Sequence, residues 1–128
     1  MNNILAQLVD FQMLFEMDGK NINNYIVYDD DNVWPLELSS GMERFISSLA
    51  IRVGLINVSN LPRSNFLAID EGWGTMDYNL NSVYSLFQYL KSQFQFTLIV
   101  SHIDSMRDAV DSLLEIKKEK SFSSINFD

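Results

Sequence analysis

The residues with the clearest chemical content lie between Asn65 and Asp77, which read N-F-L-A-I-D-E-G-W-G-T-M-D. Asp70 and Glu71 stand side by side, and a glycine-punctuated turn, Gly72-Trp73-Gly74, separates them from a third acid at Asp77. Adjacent carboxylates can divide the work of a phosphoryl-transfer site, one holding a divalent cation and the other polarising an attacking water. Phe66 to Ile69, just before them, form an unbroken apolar run, the pattern of a strand buried on both faces. Such a strand, ending in acids at its C-terminal tip, is how α/β nucleotide hydrolases hold Mg²⁺ and a water-activating base. Taken alone, Asp70-Glu71 reads as the start of a solvated loop. The neighbouring segments reverse that reading.

Beyond Asp77, Leu80, Val83, Tyr84, Phe87 and Leu90 recur on one helical face. Phe96 to Val100 then form a second apolar run with the look of a doubly buried strand, and Ser101 and His102 follow it. Strand, helix, strand in this order is a βαβ unit, whose strands run parallel with a right-handed crossover. Both C-terminal tips therefore lie on one edge, with Asp70 and Glu71 on one strand and His102, the only histidine, after the other.

A third candidate stretch is Leu36-Glu37-Leu38-Ser39-Ser40-Gly41-Met42-Glu43-Arg44-Phe45. Phe45, Ile46, Leu49, Val53 and Ile56 share one helical face, which puts Ser39, Ser40 and Gly41 at a helix start. Free backbone N–H groups and the positive end of the helix dipole suit a phosphate there. By itself the stretch reads first as an ordinary serine cap, with Glu43 closing a capping box.

These segments need a scaffold, and the rest of the chain supplies its outline. Ile4, Leu5, Leu8 and Val9 have helical spacing over residues 1–9. Phe11, Met13, Phe15 and Met17 alternate as in a strand, Asp18-Gly19 signals a turn, and Tyr25 to Tyr28 form a second strand, so residues 11–28 make an antiparallel pair. Asp29, Asp30 and Asp31 read as a solvated turn rather than a cation site. After the second apolar run, a short helix from Asp104, a final strand over Ser112 to Ile116 and a charged turn over Lys117 to Lys120 complete the chain.

Bulk properties narrow the function further. With 128 residues and 47% hydrophobic content the chain is globular and at most one domain, short for a complete α/β enzyme. No apolar run reaches the length of a membrane span, and no signal-peptide pattern follows Met1. The lack of cysteine removes disulfides and thiolate metal sites and fits an intracellular setting. A net charge of −8, from 17 acids and nine bases, repels phosphate backbones, so this segment alone is expected to bind DNA weakly.

Three stretches in this order resemble the C-terminal lobe of an ABC-type ATPase. Ser39 to Phe45 is similar to the signature motif, Phe66 to Glu71 to the Walker B strand with Asp77 at the D-loop position, and Leu98 to His102 to the switch-histidine strand. Within that superfamily, D-E-G-W-G-T-M-D followed by S-H-I-D-S-M resembles the DNA-repair branch: the bacterial SbcC exonuclease subunit and its phage, viral and eukaryotic relatives. The resemblance runs from about Phe11 to Ile116. It implies an α/β fold, parallel strands flanked by helices with an N-terminal antiparallel pair, forming over residues 1–128 the C-terminal half of an ATPase head.

The same resemblance implies the roles. Asp70 would hold Mg²⁺ through water, Glu71 would polarise the attacking water, His102 would contact the γ-phosphate, and Asp77 would couple the two sites of a dimer. Ser39, Ser40, Gly41 and Glu43 would form the signature that meets ATP bound on a second head. Aligned without a gap on Arg44-Phe45, Ser40 is the contacting serine and Met42 replaces a glycine; a gapped alignment starting at Leu38 selects Ser39 instead.

The chain has no G-x-x-x-x-G-K-[ST] phosphate loop, no coiled coil and no C-x-x-C hook. It is therefore expected to be inactive alone. The partners implied are an N-terminal lobe carrying Walker A, a second head, an SbcD-like nuclease and, through the whole complex, DNA, with ATP and Mg²⁺ as cofactors. Two other readings stand beside this one: an ABC-like interaction module that has lost ATP use, and a stand-alone metal phosphatase or nuclease built on Asp70, Glu71, Asp77 and His102.

Overall fold

The computed structural model describes residues 1–70, 72–75 and 80–127. Glu71 and Asp77 lie outside the described residues. One apolar core joins Leu5, Met13 and Ile26 of the N-terminal part to Val53, Trp73 and Leu86 of the remainder.

A short helix α1 (Asn2–Leu5) opens the chain. The apolar spacing over residues 1–9 predicts a longer helix, but only one turn forms. Its Asn2 side chain explains the docking. The amide donates to the Met13 carbonyl at 3.1 Å and accepts the Met13 N–H at 3.0 Å, so it pairs with the next strand as a backbone group would.

That strand, β1 (Gln12–Asp18), pairs antiparallel with β2 (Asn21–Asp29), as the alternation predicts, with Gly19 in the turn at φ 61°. A third strand, β3 (Asn32–Pro35), extends this sheet along β2. The sequence did not advertise β3, because it has only four residues and ends in a proline, which an edge position tolerates. The acidic turn behaves as the bland reading expects. Asp29 accepts from the Asp31 N–H and the Asn32 amide, and these residues are exposed.

Helix α2 (Gly41–Val58) follows a single 3-10 turn and packs Ile46, Leu49, Ala50 and Val53 inward. Its 18 residues begin at an N-cap, Ser40, with a complete capping box to Glu43. Strand β4 (Phe66–Asp70), helix α3 (Leu80–Gln93) and strand β5 (Phe96–Val100) then form the expected βαβ unit. β4 and β5 pair parallel in register, Phe66 opposite Phe96 through Asp70 opposite Val100. The N–H groups of Gln95 and Phe96 both reach the Asn65 carbonyl, which aligns the two strand starts.

One expectation about this pair is corrected. Neither strand is buried on both faces. Ile69 and its neighbours Leu67 and Ile99 face the core, but Phe66 is 46% exposed, Phe96 58% and Leu98 45%. Period-two geometry puts Phe66, Ala68 and Asp70 with Phe96, Leu98 and Val100 on one face, and among the described residues no layer covers it. An apolar run in sequence reports what a strand is suited to bury, not what a given chain has available to cover it.

The chain ends differently from its sequence outline as well. A 3-10 segment over Asp104–Ala109 replaces the short helix. The final strand is longer than expected, β6 (Leu114–Glu119), and it pairs antiparallel with a further strand, β7 (Phe122–Phe127). Lys117 and Lys118, read as part of a charged turn, lie within β6, and the turn itself falls at Lys120, whose φ is 55°. No alternation marks this strand, because Lys117, Lys118 and Glu119 are consecutive charges and both faces are largely exposed. Among the described residues no helix is long and apolar enough to cross a membrane.

Candidate functional site

The first part of the site is the sheet edge where β4 and β5 end. Asp70 closes β4 opposite Val100, and His102 follows two residues beyond β5, so the parallel register brings the two tips together as the βαβ reading predicts. Both side chains are exposed. The turn around His102 is built by Ser101, whose hydroxyl accepts the Ile103 N–H at 3.1 Å and donates to the Met106 sulfur at 3.3 Å. Beyond it, the Tyr84 hydroxyl donates to the Asp108 carbonyl at 2.8 Å and Lys91 pairs with Asp111 at 2.6 Å, so α3 holds the segment that carries His102.

The turn after β4 is fixed by aromatic packing. Gly72 takes φ 92°, open to glycine without strain, and its Cα lies against the Phe45 ring. Trp73 is buried, edge-on to Phe45 at 5.0 Å and to Phe87 at 5.5 Å. One tryptophan thereby ties the turn both to the first turns of α2 and to α3.

The second part is the start of α2. The Ser40 hydroxyl accepts the Glu43 N–H at 3.3 Å, and the Glu43 carboxylate accepts the Ser40 N–H at 2.5 Å. The Ser40 carbonyl takes the first helical bond, from the Arg44 N–H at 3.0 Å. The capping box consumes the N–H groups of Ser40 and Glu43. Those of Gly41 and Met42, in the first helical turn, have no intrahelical acceptor and face outward from the helix end. Ser39 is engaged elsewhere: its hydroxyl donates to the Leu36 carbonyl at 2.7 Å. The two serines that the sequence left equivalent are thus distinct, Ser40 capping the helix and Ser39 bracing the 3-10 turn.

A residue that sequence reasoning missed joins this cluster. Tyr28 donates from its hydroxyl to the Glu43 carboxylate oxygen that Ser40 does not use. This bond, followed by burial and the Glu43 charge, pushes the Tyr28 phenol up to about 12, so it remains a donor at neutral pH. Burial raises the Glu43 carboxyl, but the bonds from Tyr28 and Ser40 outweigh that and hold it below the usual carboxylate range. No signal in the sequence could have found the pair, because the 15-residue separation matches no local motif.

Among the described residues no hydrogen bond or ion pair links Ser39, Ser40 or Glu43 to Asp70 or His102. None of them forms a group of three or more His, Cys, Asp or Glu residues able to hold a metal. The described part of the site offers Asp70 as one hard oxygen donor, which fits Mg²⁺, an ion that takes one or two carboxylates and completes its shell with water and phosphate. Glu71 and Asp77, the other acids singled out, lie outside the described residues.

The fold defines the class. It is that of an SMC-type ATPase head: the chain superposes over 98% of its length, at a TM-score of 0.78 and 16% identity, on 79% of an SMC ATPase studied for ATP-driven dimerisation and DNA-stimulated activation. It also matches an Smc head bound to the C-terminal winged-helix domain of ScpA, at a TM-score of 0.74 and 19% identity over 40% of that chain. The SMC head domain of Thermotoga maritima gives 0.66 at 23% identity over 44% of its chain. In sequence, the chain is similar to the uncharacterised protein R555 of Acanthamoeba polyphaga mimivirus, with 34% identity over 97% of this chain and 10% of R555. It is similar also to the SbcC subunit of the SbcCD nuclease of Staphylococcus aureus, with 32% identity over 69% of this chain and 9% of that protein. The chain spans about a tenth of the length of the curated relatives it matches. No family model matches it.

Proposed function

We propose that this chain is the C-terminal lobe of an ATPase head in an SbcC-like DNA double-strand-break processing complex. ATP bound to an N-terminal lobe carrying a Walker A loop is completed here, and two such heads close on ATP and separate on hydrolysis. The observation that carries this reading is the pairing of Asp70 with Val100 in parallel register within an SMC-head fold, which brings Asp70 and His102 to one sheet edge. Asp70 would hold Mg²⁺, and His102 would meet the γ-phosphate. Glu71 polarises the attacking water and Asp77 couples the two sites, both as the motif order implies. Mg²⁺, when bound, neutralises charge developing on the transferred phosphoryl group.

Ser40 is the serine that meets the second head's ATP, with Gly41 beside it and Glu43 holding the cap. Its hydroxyl accepts from its own helix and keeps its proton to donate outward, whereas the Ser39 proton is committed to Leu36. The exposed apolar face of β4 and β5 supports the need for a second lobe, since a face carrying Phe66, Phe96, Leu98 and Val100 is suited to burial. The relatives' name supports an SbcD-like nuclease partner, and DNA contacts fall to the rest of the complex, given the net charge of −8 here.

The test is Glu71→Gln in the head assembled with its Walker A lobe. ATP-driven dimerisation is expected to persist while hydrolysis falls by roughly 10² or more, the scale of a positioned general base. Unchanged turnover would remove Glu71 from this role. Absence of any nucleotide-dependent dimerisation would favour a lobe that has lost ATP use.

A further inference from the structure

Tyr28 lies at a break in the β2–β3 pairing. Val27 pairs with Val33 and Asp29 with Asn32, so Tyr28 is the extra residue of a β-bulge. Bulges bend a strand and re-aim a side chain, and they gather beside functional sites. Here the Tyr28 ring stands edge-on to buried Phe11 at 5.8 Å and its hydroxyl crosses from the sheet to the start of α2. A capping box is complete with Ser40 and Glu43 alone. The tyrosine adds a third anchor from an element remote in sequence.

We infer that Tyr28 is a positioning residue for the signature serine, acting through Glu43. By holding one carboxylate oxygen it fixes Glu43 in the rotamer whose other oxygen takes the Ser40 N–H. That keeps Ser40 in its capping geometry, with the hydroxyl lone pair turned to the Glu43 N–H and the hydroxyl proton directed away from the helix. It also keeps the carboxylate turned from the Gly41 and Met42 N–H groups, where a swung-out negative side chain would compete with a phosphate. The antiparallel sheet thus sets the geometry of a helix terminus that meets nucleotide on another head. This rests on the reading of Ser40 given above.

The experiment uses the complete head and measures two quantities: ATP affinity of single heads and the ATP concentration giving half-maximal dimerisation. Tyr28→Phe is expected to raise the second by roughly 3- to 10-fold, the scale of one ordinary hydrogen bond between exposed groups, and to leave the first unchanged. In a Ser40→Ala background Tyr28→Phe is expected to add nothing, because both act through one group. Glu43→Ala, which removes the group that Tyr28 holds, is expected to shift dimerisation in the same direction and to silence Tyr28→Phe. If Ser40→Ala weakens dimerisation but Tyr28→Phe does not, or if the two effects add, the positioning role falls and the reading of Ser40 stands. Parallel loss of ATP affinity in Tyr28→Phe would also overturn it, as general destabilisation. If Ser40→Ala changes nothing, the reading of Ser40 itself falls.

Discussion

The ring of Phe45 rests so closely on Gly72 that a Cβ added to Gly72 would stand 2.6 Å from the Phe45 Cε2 atom. Phe45 cannot simply swing aside, because its other neighbour is the buried Trp73 ring. Gly72→Ala therefore meets two penalties at once, overpacking and a φ of 92° that L-residues avoid. We expect it to destabilise the fold by on the order of 2–4 kcal/mol, read from a denaturant midpoint. A variant as stable as the parent would mean that the turn and α2 do not pack as described.

Glu43 gives the start of α2 a pH dependence whose sign follows from its lowered pKa. Its contribution is complete above the ordinary carboxylate value of 4.5 and is lost as pH falls through the depressed folded value. The stability difference between parent and Glu43→Gln should accordingly shrink on acidification below that value. Tyr28 acts at the other extreme: its raised pKa gives stability fully present below pH 10 and lost as pH rises through about 12. A spectrophotometric tyrosine titration should lose a step near pH 12 in Tyr28→Phe.

The uncovered face of β4 and β5 separates folding from docking. Leu98 and Val100 are 45% and 48% exposed, so replacing both with threonine, a good strand residue, should change the stability of this lobe by less than about 1 kcal/mol. If that face receives a second lobe, the same double variant should weaken binding of the Walker A lobe by about tenfold or more. Calorimetric titration against that lobe decides the point, and an unchanged affinity would place the lobe contact elsewhere.

The one-turn α1 is part of the core rather than a frayed end. Leu5 is fully buried and Asn2 pairs with the backbone of Met13. Leu5→Ala is expected to cost about 2–5 kcal/mol, the range for removing a buried leucine side chain. A loss below about 1 kcal/mol in chemical denaturation would show α1 to be dispensable.

What the sequence determined by itself was local. The apolar run from Phe66 to Ile69, the stripe along α3 and the run from Phe96 to Val100 specify strand, helix, strand, and chirality and crossover length leave a parallel pair with Asp70 and His102 at one edge. Ser40 and Glu43, three residues apart, specify the cap of α2, because a capping box is a contact between near neighbours. Only the tertiary structure decided the rest. Ser39 and Ser40 differ by what surrounds their hydroxyls, the Leu36 carbonyl for one and the Glu43 N–H for the other. Tyr28 reaches Glu43 because a bulge in β2 turns it toward α2, and Gly72 meets Phe45 because Trp73 draws the two segments together. The exposed faces of β4 and β5 follow from the same cause: hydrophobic pattern states a demand for burial, and only the packed chain reveals which demands its own residues meet.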